Sequence, residues 1–446
     1  MKKQIFFFIG LFIISLMTNI IYANEGLFHH DEVQLAIAIE QTIDTKIITP
    51  EVNNRYGTVL IFSIAYYPFQ KIPLDKFMIY FNIIIGSLCV MFAAIFIYEL
   101  TGAELVSIIS GVILSTNPLW LSITSHPKEH MLAILFIMLS FIALIKGIKN
   151  HNSYLLIAEV LFLISLTIRV DNILLLPFFV MIFYYRKILG KIFNNDYNAV
   201  KLDFANDILP FYLTLILGIG LLFLTKIVFL YTVDSHLKII LLIPIIWSLI
   251  HSLSYLPTFL LLTGICIWVV YEKYKEITFL LVMSLPTFIF LGLNSNVSIR
   301  LLSILMIPAA IMISTAILWI KNLNKTHHIL IYTILILLIL FLSKAPIDNI
   351  LDYRNQYSGP KEMALYVGNH TEWNSTIYLS NFDYAPFIKY YANRTAVNDP
   401  QADYILLLNQ ENNDTNLNYM GTVEYEDYHH SELSFEKRNA TLWRRI

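Results

Sequence analysis

The segment His29-His30-Asp31-Glu32, which follows the first apolar stretch of the chain, combines residue types that can do acid/base or metal chemistry. One carboxylate can deprotonate a hydroxyl group while the other binds a divalent cation or orients the first. The two imidazoles could be metal ligands or contact a substrate. A structural role is equally open, because Asp31 could cap a following helix while Glu32 favours its N-terminal dipole.

A second polar segment, His126-Pro127-Lys128-Glu129-His130, lies between two later apolar stretches. Glu129 could complete a metal or acid/base site with Asp31, and His126 or His130 could join it. The structural alternative is a charged loop that starts a helix, with Pro127 near its first position. The predicted ligands of a divalent cation, whose identity the sequence does not specify, are Asp31, Glu129, His126 and His130.

Four cationic residues are candidates for binding a phosphate group: Arg55, Lys128, Arg169 and Arg300. The forked donors of a guanidinium such as that of Arg169 are well shaped for phosphate. Two structural alternatives stand beside this hypothesis. Arg169 could pair with Asp171, and Arg300, at the start of an apolar helix, could extend its side chain to the membrane interface.

The composition indicates a membrane domain followed by a soluble one. Hydrophobic residues make up 57% of the 446 residues and charged residues only 14%, against about 45–50% and about 25% in soluble domains. The last 102 residues nevertheless hold 14 acidic and 8 basic residues, a net charge of −6. The predicted domains are therefore 1–344 in the membrane and 345–446 outside it. The charge balance does not suggest binding to nucleic acid.

The chain has eleven segments that could span a membrane, a count that assumes about 20 apolar residues per span. They are 4–23, 77–99, 105–124, 129–147, 153–168, 172–185, 208–231, 256–271, 277–293, 301–320 and 328–344. We interpret the first as a retained span and 237–253 as interfacial. Because Lys and Arg mark cytoplasmic loops, this count predicts a cytoplasmic N-terminus and an extracytoplasmic C-terminal domain in a multi-pass protein of the plasma membrane.

Two shorter helices are predicted along the outer surface, over 33–42 and 56–70. Asp31 and Gln34 have the spacing of a capping box at the start of the first. The soluble domain is predicted to be α/β, with helices near 361–368 and 384–391 and strands at 376–379 and 404–408. Its glycosylation acceptor sequences support an exterior location weakly; they lie at Asn369, Asn374, Asn393, Asn413 and Asn439.

This topology places the chemically active side chains of five separate loops on one face of the membrane. They are Asp31, Glu32, Arg55, His126, Lys128, Glu129, His130, Arg169, Asp171 and Arg300. Ionisable residues at a membrane edge are energetically costly and therefore candidates for function. The sequence thus predicts one site on the outer face.

The pattern resembles the GT-C superfamily of polytopic glycosyltransferases, particularly the branch with protein O-mannosyltransferases, aminoarabinose transferases and lipopolysaccharide sugar transferases. Asp31-Glu32 follows the first span, and a surface helix begins near Tyr56-Gly57, where relatives often have Pro-Pro-Leu. Asn117-Pro118 is followed by Glu129 at the start of the next span, and Arg300 precedes an apolar helix that contains Pro308. The chain departs from the pattern in lacking Pro-Pro-Leu and in having Glu129 where Asp is frequent.

The resemblance implies an α-helical GT-C-like membrane enzyme that moves a hexosyl or pentosyl group from a polyprenyl-phosphate-linked sugar, with inversion, to a lipid, glycan or protein acceptor. Asp31 would be the base or a metal-binding acid, with Glu32 and Glu129 assisting. Arg169 and Arg300 match positions where relatives often carry cations. The absence of a Trp-Trp-Asp motif argues against an oligosaccharyltransferase acting on asparagine.

Two other classes of protein would use such a chain differently. A transporter or flippase for a polar or lipid-linked solute would place its charged residues near the bilayer midplane, often in repeats, whereas the candidates here lie at one face and no repeat is apparent. An assembly protein with a partner-binding tail would leave the carboxylates of the outer face without a role.

Overall fold

The computed structural model describes most of the predicted membrane domain, 1–344, and most of the predicted C-terminal domain, 345–446. The described residues are 2–24, 26–27, 29–48, 55–149, 153–184, 209–224, 255–270, 280–287, 289, 303–323, 360–408, 417–429 and 434–445. Arg300, the segment 237–253 and the predicted last span 328–344 lie outside these residues.

The membrane domain is helical throughout its described parts. Its helices are α1 (Lys2–Ile21), α2 (His30–Thr45), α3 (Tyr56–Tyr66), α4 (Leu74–Thr101), α5 (Glu104–Thr116), α6 (Pro118–Ser125), α7 (Glu129–Lys149), α8 (Ser153–Ile168), α9 (Leu176–Tyr184), α10 (Leu209–Leu224), α11 (Tyr255–Val270) and α12 (Met306–Leu323). Residues 280–287 are also helical, and a 3₁₀ segment, Val170–Leu175, precedes α9.

Among the described residues, three helices are long and apolar enough to cross a membrane: Gln4–Ile21, Leu74–Thr101 and Glu129–Ile148. The bent pair α5 and α6 counts as a fourth if it forms one span. Shorter apolar helices occupy the predicted spans at 153–168, 208–231, 256–271 and 301–320. The helical membrane class agrees with the prediction, while the count of eleven spans stays a prediction.

The predicted span 105–124 is not one straight helix, because the chain bends by 61° between α5 and α6; the pair is either a broken span or a re-entrant loop. Pro118 has no N–H to continue the α5 hydrogen bonds, and it occupies the first turn of the new helix α6. The side chain of Asn117 caps that helix by accepting a hydrogen bond from the Trp120 N–H at 3.0 Å. The bend carries the chain into the buried loop that follows α6.

Helix α4 is the centre of the described bundle and packs against α1, α5, α6 and α7. Its contact with α6 is very close at Gly86, where an added Cβ would lie 2.3 Å from the Thr124 side chain. Phe96 of α4 contacts Phe141 of α7 with tilted rings, and Phe141 in turn contacts Phe178 of α9. This packed apolar interior fixes the helix ends at which the polar loops lie.

Helix α2 begins two residues earlier than the capping pattern predicted. His29, not Asp31, is the N-cap: its side chain accepts from the Asp31 N–H, while the Glu32 side chain accepts from the His29 N–H at 3.3 Å. The predicted pairing of Asp31 with Gln34 is therefore wrong. Because Glu32 closes the capping box, the carboxylate of Asp31 is not used as the cap.

The C-terminal domain contains a five-stranded sheet and the helix α13 (Pro360–His370). The strands are β1 (Thr376–Leu379), β2 (Thr395–Val397), β3 (Tyr404–Leu408), β4 (Leu417–His429) and β5 (Ser434–Arg445), in the order β2-β1-β3-β5-β4. Strand β1 is parallel to β2 and β3, whereas β5 is antiparallel to β3 and β4. A helical stretch from Phe382 to Ala392 connects β1 to β2 and faces α2.

Candidate active site

The segment after α6 is a polar loop buried inside the protein. His126, Lys128, Glu129 and His130 are each no more than 6% exposed. The Asn82 side chain on α4 holds this loop by donating to the carbonyl oxygens of Thr124 at 2.7 Å and His126 at 2.9 Å. Asn24, just beyond α1, donates to the Ser125 carbonyl at 3.0 Å. Two helices thus fix the backbone from which the charged side chains project.

The Asp31 cluster, which comprises His29, His30, Asp31 and Lys128, joins this loop to the start of α2. The Lys128 Nζ lies 2.7 Å from the Asp31 Oδ2 and 2.8 Å from the His29 Nδ1. The His30 Nε2 lies 2.9 Å from the other oxygen, Asp31 Oδ1. Lys128 is only 2% exposed, while Asp31 and His30 retain more access to solvent. Asp31 is thereby held between a buried ammonium and a partly exposed imidazole.

The surroundings of Asp31 favour its ionised form. Burial by itself raises the pKa of the Asp31 carboxyl, but the hydrogen bond with His30 and the positive charge of Lys128 outweigh burial. The pKa of Asp31 therefore lies well below its usual range. The carboxylate is charged and able to accept a hydrogen bond throughout the physiological pH range.

Glu32 makes a separate pair with the loop. Its Oε1 lies 2.8 Å from the His126 Nδ1, and both side chains are almost completely buried. The other oxygen, Oε2, accepts the hydrogen bond of the capping box from the His29 backbone. With both oxygens engaged inside the protein, Glu32 fixes the position of the α2 N-terminus relative to the loop.

The Glu129 cluster, formed by Glu129, Arg55, Arg169, His130 and Asp171, lies on the other side of the same backbone. The Arg55 Nη1 is 2.9 Å from the Glu129 Oε2, and the Arg169 Nη1 is 3.9 Å from the Glu129 Oε1. The Arg169 guanidinium also contacts Asp171 and His130. Two guanidinium groups flank one buried carboxylate, and with Asp171 the cluster pairs two positive charges with two negative charges.

Two cavities meet these clusters. The larger has a volume of about 1140 Å³ and lies between α2 and the C-terminal domain, with His30 and Asp31 in its wall. The smaller, about 40 Å³, is lined by His130, Arg169 and Asp171 together with residues near α12. It has room for roughly three waters at about 10–15 Å³ each, which is the size of a small polar group. The larger cavity therefore borders the Asp31 cluster and the smaller one borders the Glu129 cluster.

The donor atoms of His29, His30 and Asp31 lie within 4.8 Å of one another, close enough to share one metal ion. Two of those residues, however, direct their atoms at the Lys128 ammonium. A metal needs free lone pairs on its ligands, and a cation already occupies the position that the ion would take. The donor set as it stands therefore does not fit a divalent cation.

The other predicted metal ligands are drawn apart by their partners. His126 pairs with Glu32, while Glu129 pairs with Arg55 and His130 contacts Arg169. Two guanidinium groups beside Glu129 would repel a divalent ion. Among the described residues, Asp31, Glu129, His126 and His130 do not form one group of metal ligands.

The structure brings the remaining predicted site residues to the two clusters, with Lys128 in the Asp31 cluster and with Arg55 and Arg169 in the Glu129 cluster. Arg300 lies outside the described residues. The sequence analysis did not identify the buried amides Asn24 and Asn82, which hold the loop. Their only signal in the sequence was a polar residue near the end or within an otherwise apolar helix.

A third group of residues that the sequence did not identify connects the C-terminal domain to the segment just before α2. The Leu27 N–H, two residues before His29, donates to the Tyr391 hydroxyl at 3.1 Å. That hydroxyl lies 3.4 Å from the Asp75 carboxylate at the start of α4, which also pairs with Lys361 at 2.8 Å. The C-terminal domain therefore contacts the segment that carries Asp31.

Comparisons with known proteins reveal a likeness of fold. No family model matches the chain, and no curated protein matches it in sequence. The chain superimposes on the archaeal oligosaccharyltransferase AglB from Archaeoglobus fulgidus, solved with an inhibitory peptide and a dolichol-phosphate, with a TM-score of 0.54 and 12% identity. That match covers 90% of this chain and 69% of AglB.

The chain is also similar to ArnT from Cupriavidus metallidurans in two states. The match to apo ArnT has a TM-score of 0.52 and 10% identity, and it covers 91% of this chain and 93% of ArnT. For ArnT bound to undecaprenyl phosphate the TM-score is 0.55 and the identity 9%, over 98% of this chain and 97% of ArnT. The chain thus shares the fold of AglB and ArnT, which agrees with the fold that the resemblance implied.

Proposed function

We propose that this protein is an inverting membrane glycosyltransferase that moves a sugar from a polyprenyl-phosphate donor to an acceptor on the outer face of the plasma membrane. The observation that carries the proposal is the placement of Asp31, which is ionised, partly accessible and in the wall of the larger cavity. The shared fold with proteins solved with dolichol-phosphate and with undecaprenyl phosphate supports the class of donor.

The larger cavity suits the acceptor. Its wall offers amide and charged groups, such as Gln34, Asn374 and Lys389, beside the half-exposed ring of Phe382. Convergent polar groups beside an aromatic face are well suited to a ligand with many hydroxyls and apolar ring faces. Among lipid, glycan and protein acceptors, this lining favours a glycan, alone or as the headgroup of a lipid.

The cations of the Glu129 cluster suit the donor phosphate. When the bond between sugar and phosphate breaks, the leaving polyprenyl phosphate gains negative charge, which preorganised guanidinium groups stabilise. Arg169 and His130 line the smaller cavity, and Arg55 is connected to them through Glu129. Glu129 acts here by positioning the cations, since its oxygens face Arg55 and Arg169.

Asp31 acts as the general base in this mechanism. An acceptor hydroxyl in the larger cavity donates to the carboxylate and transfers its proton as the new glycosidic bond forms. In this proposal the leaving phosphate binds the cations of the Glu129 cluster while the acceptor binds beside Asp31. Attack on the face of the sugar opposite the phosphate then inverts the anomeric configuration. The Asp31 carboxyl then releases this proton to solvent through the larger cavity, in whose wall Asp31 and His30 lie.

The proposal is tested with Asp31→Asn protein reconstituted with polyprenyl-phosphate-linked sugars and glycan acceptors from the membranes of its host. The release of free polyprenyl phosphate reports turnover without knowledge of the sugar. Loss of a general base lowers the rate by roughly 10²- to 10⁴-fold. Asp44→Asn, an exposed acid on the same helix, is the matched control and should retain full activity. Unchanged turnover in folded Asp31→Asn protein would remove Asp31 from this role.

A further inference from the structure

The Lys128 ammonium lies among atoms that would otherwise make a metal site. A ring nitrogen from each of His29 and His30 and an Asp31 carboxylate oxygen are grouped within 4.8 Å. Lys128 is 2.8 Å from the first of these residues and 2.7 Å from the third. The contacts pair one positive charge with two ligand atoms of the kind that a transition metal prefers.

The ammonium is built into this position. Its side chain is 2% exposed, so withdrawal from Asp31 and His29 would leave a buried charge without these two partners, which is energetically costly. The backbone beneath it is held at His126 by Asn82, and the Lys128 N–H donates to the His126 carbonyl at 2.8 Å. Lys128 therefore cannot move aside for an ion without disturbing the loop.

The Lys128 ammonium and a divalent ion cannot both be bound by His29, His30 and Asp31, because both are positively charged. A divalent ion bound by His29, His30 and Asp31 would lie within a few ångströms of the ammonium, and like charges at that distance repel strongly in a buried site. Without the ammonium, two imidazoles and one carboxylate would remain in reach of each other. Such a donor set is known from three-ligand sites with an open position.

We propose that Lys128 is an internal cation that takes the place of a divalent metal beside Asp31, and that its removal uncovers a latent metal site formed by His29, His30 and Asp31. Lys128 is then a positioning residue: it orients Asp31 through Oδ2 and leaves Oδ1 toward His30 and the larger cavity. The consequence for activity rests on the proposed glycosyl transfer, whereas the consequence for metal binding does not.

The direct test is a titration with Co²⁺, whose visible absorption reports its coordination by nitrogen and oxygen ligands. The full chain is purified in detergent with a tag free of histidine and treated with EDTA. Wild type should bind no Co²⁺ at this site, whereas Lys128→Met should bind one ion per chain. That absorption should vanish when His29→Ala or Asp31→Asn is added. Lys76→Met, which removes an exposed lysine on α4, should behave like wild type.

Either of two results would overturn the proposal. One is a stoichiometric Co²⁺ signal in wild type that His29→Ala abolishes; the other is a folded Lys128→Met protein that binds no ion. Lys128→Gln, which keeps a polar side chain, replaces Lys128→Met should the latter fail to fold, and the wild-type titration stands on its own. In the transfer assay, wild type should be insensitive to EDTA. Because the titration needs neither donor nor acceptor, its outcome is separate from that of the proposed function.

Discussion

The contact between Tyr391 and Leu27 predicts that the C-terminal domain keeps ordered the segment just before α2, which we call the Leu27 loop. The Tyr391 hydroxyl accepts the Leu27 N–H at 3.1 Å and lies 3.4 Å from Asp75. The Lys361 ammonium is 5.3 Å from the centre of the Tyr391 ring and pairs with Asp75. Burial, with the nearby Asp75 carboxylate, raises the pKa of Tyr391 well above its usual value. The hydroxyl is therefore neutral and available to the Leu27 loop at every physiological pH.

Tyr391→Phe removes that hydroxyl and leaves the aromatic ring. Leu27 is completely buried, so its N–H would lose its acceptor away from solvent. Leaving a buried donor unsatisfied costs about 1–3 kcal/mol. Asp75 loses its 3.4 Å contact with the hydroxyl but keeps its pair with Lys361 at 2.8 Å, so the larger loss falls on Leu27. The Leu27 loop should therefore open more often, by roughly 5- to 150-fold for that range of free energy.

Hydrogen exchange measured by mass spectrometry on the full chain in detergent is the assay. Peptides that contain Leu27 should exchange faster in Tyr391→Phe, while those from α7 and from β3 should keep the wild-type rate. In the transfer assay we expect a lower kcat, because a mobile Leu27 loop places Asp31 less often against the acceptor. Tyr419→Phe, a half-exposed tyrosine whose hydroxyl pairs with Thr422, is the control. Unchanged exchange at Leu27 in the mutant would refute the reasoning.

Two further predictions concern packing and pH. Gly57→Ala should lower the stability by roughly 1–3 kcal/mol in thermal unfolding, because a Cβ there would lie 2.9 Å from the Thr167 backbone carbon. Gly10→Ala is the control and should not lower it, since a Cβ at Gly10 would have nothing within 4 Å. Equal melting temperatures for the two variants would contradict this packing. The pKa of Asp31 is lowered by folding, so its ionised form stabilises the protein at every pH above the unfolded value of about 3.9. The difference in melting temperature between wild type and Asp31→Asn should therefore not shrink from pH 7 to pH 5, and a difference that falls over this range would contradict the argument.

Much of the helix and strand pattern could be read from the sequence, because local composition determines it. The strands Thr376–Leu379 and Tyr404–Leu408 have the predicted bounds, since runs of β-branched, aromatic and aliphatic residues favour strands. The three-residue strand Thr395–Val397 was missed because so short a run has no distinct pattern. Pro118 is a local sign of a bend, but the residues on both sides of it are apolar. A prediction from mean hydropathy therefore joined α5 and α6 into one span.

The partners of the charged residues could not be read from the sequence. His29, Asp31 and Gln34 all have side chains that suit the start of a helix, and local spacing does not decide between them. The choice depends on Glu32, whose second oxygen binds His126 across 94 positions of sequence. Similarly, the topology placed Lys128 and Asp31 on one face of the membrane, but only their distance of 2.7 Å reveals that the lysine lies where a metal ion was expected.

The loop after α6, rather than the acidic pair after α1, is the point from which the site is assembled. His126 binds Glu32, Lys128 binds Asp31, and Glu129 binds Arg55. The three loop residues are close together in sequence, whereas their partners belong to two other segments, the start of α2 and the residue before α3. A shift of the loop would therefore move Asp31 and Arg55 together. Substitutions at Glu32 and Lys128 both loosen the N-terminus of α2 from the same loop, and residues that share one network do not act independently. Their effects on the stability of the protein should therefore be non-additive, which a double-mutant cycle of Glu32→Gln and Lys128→Met would measure.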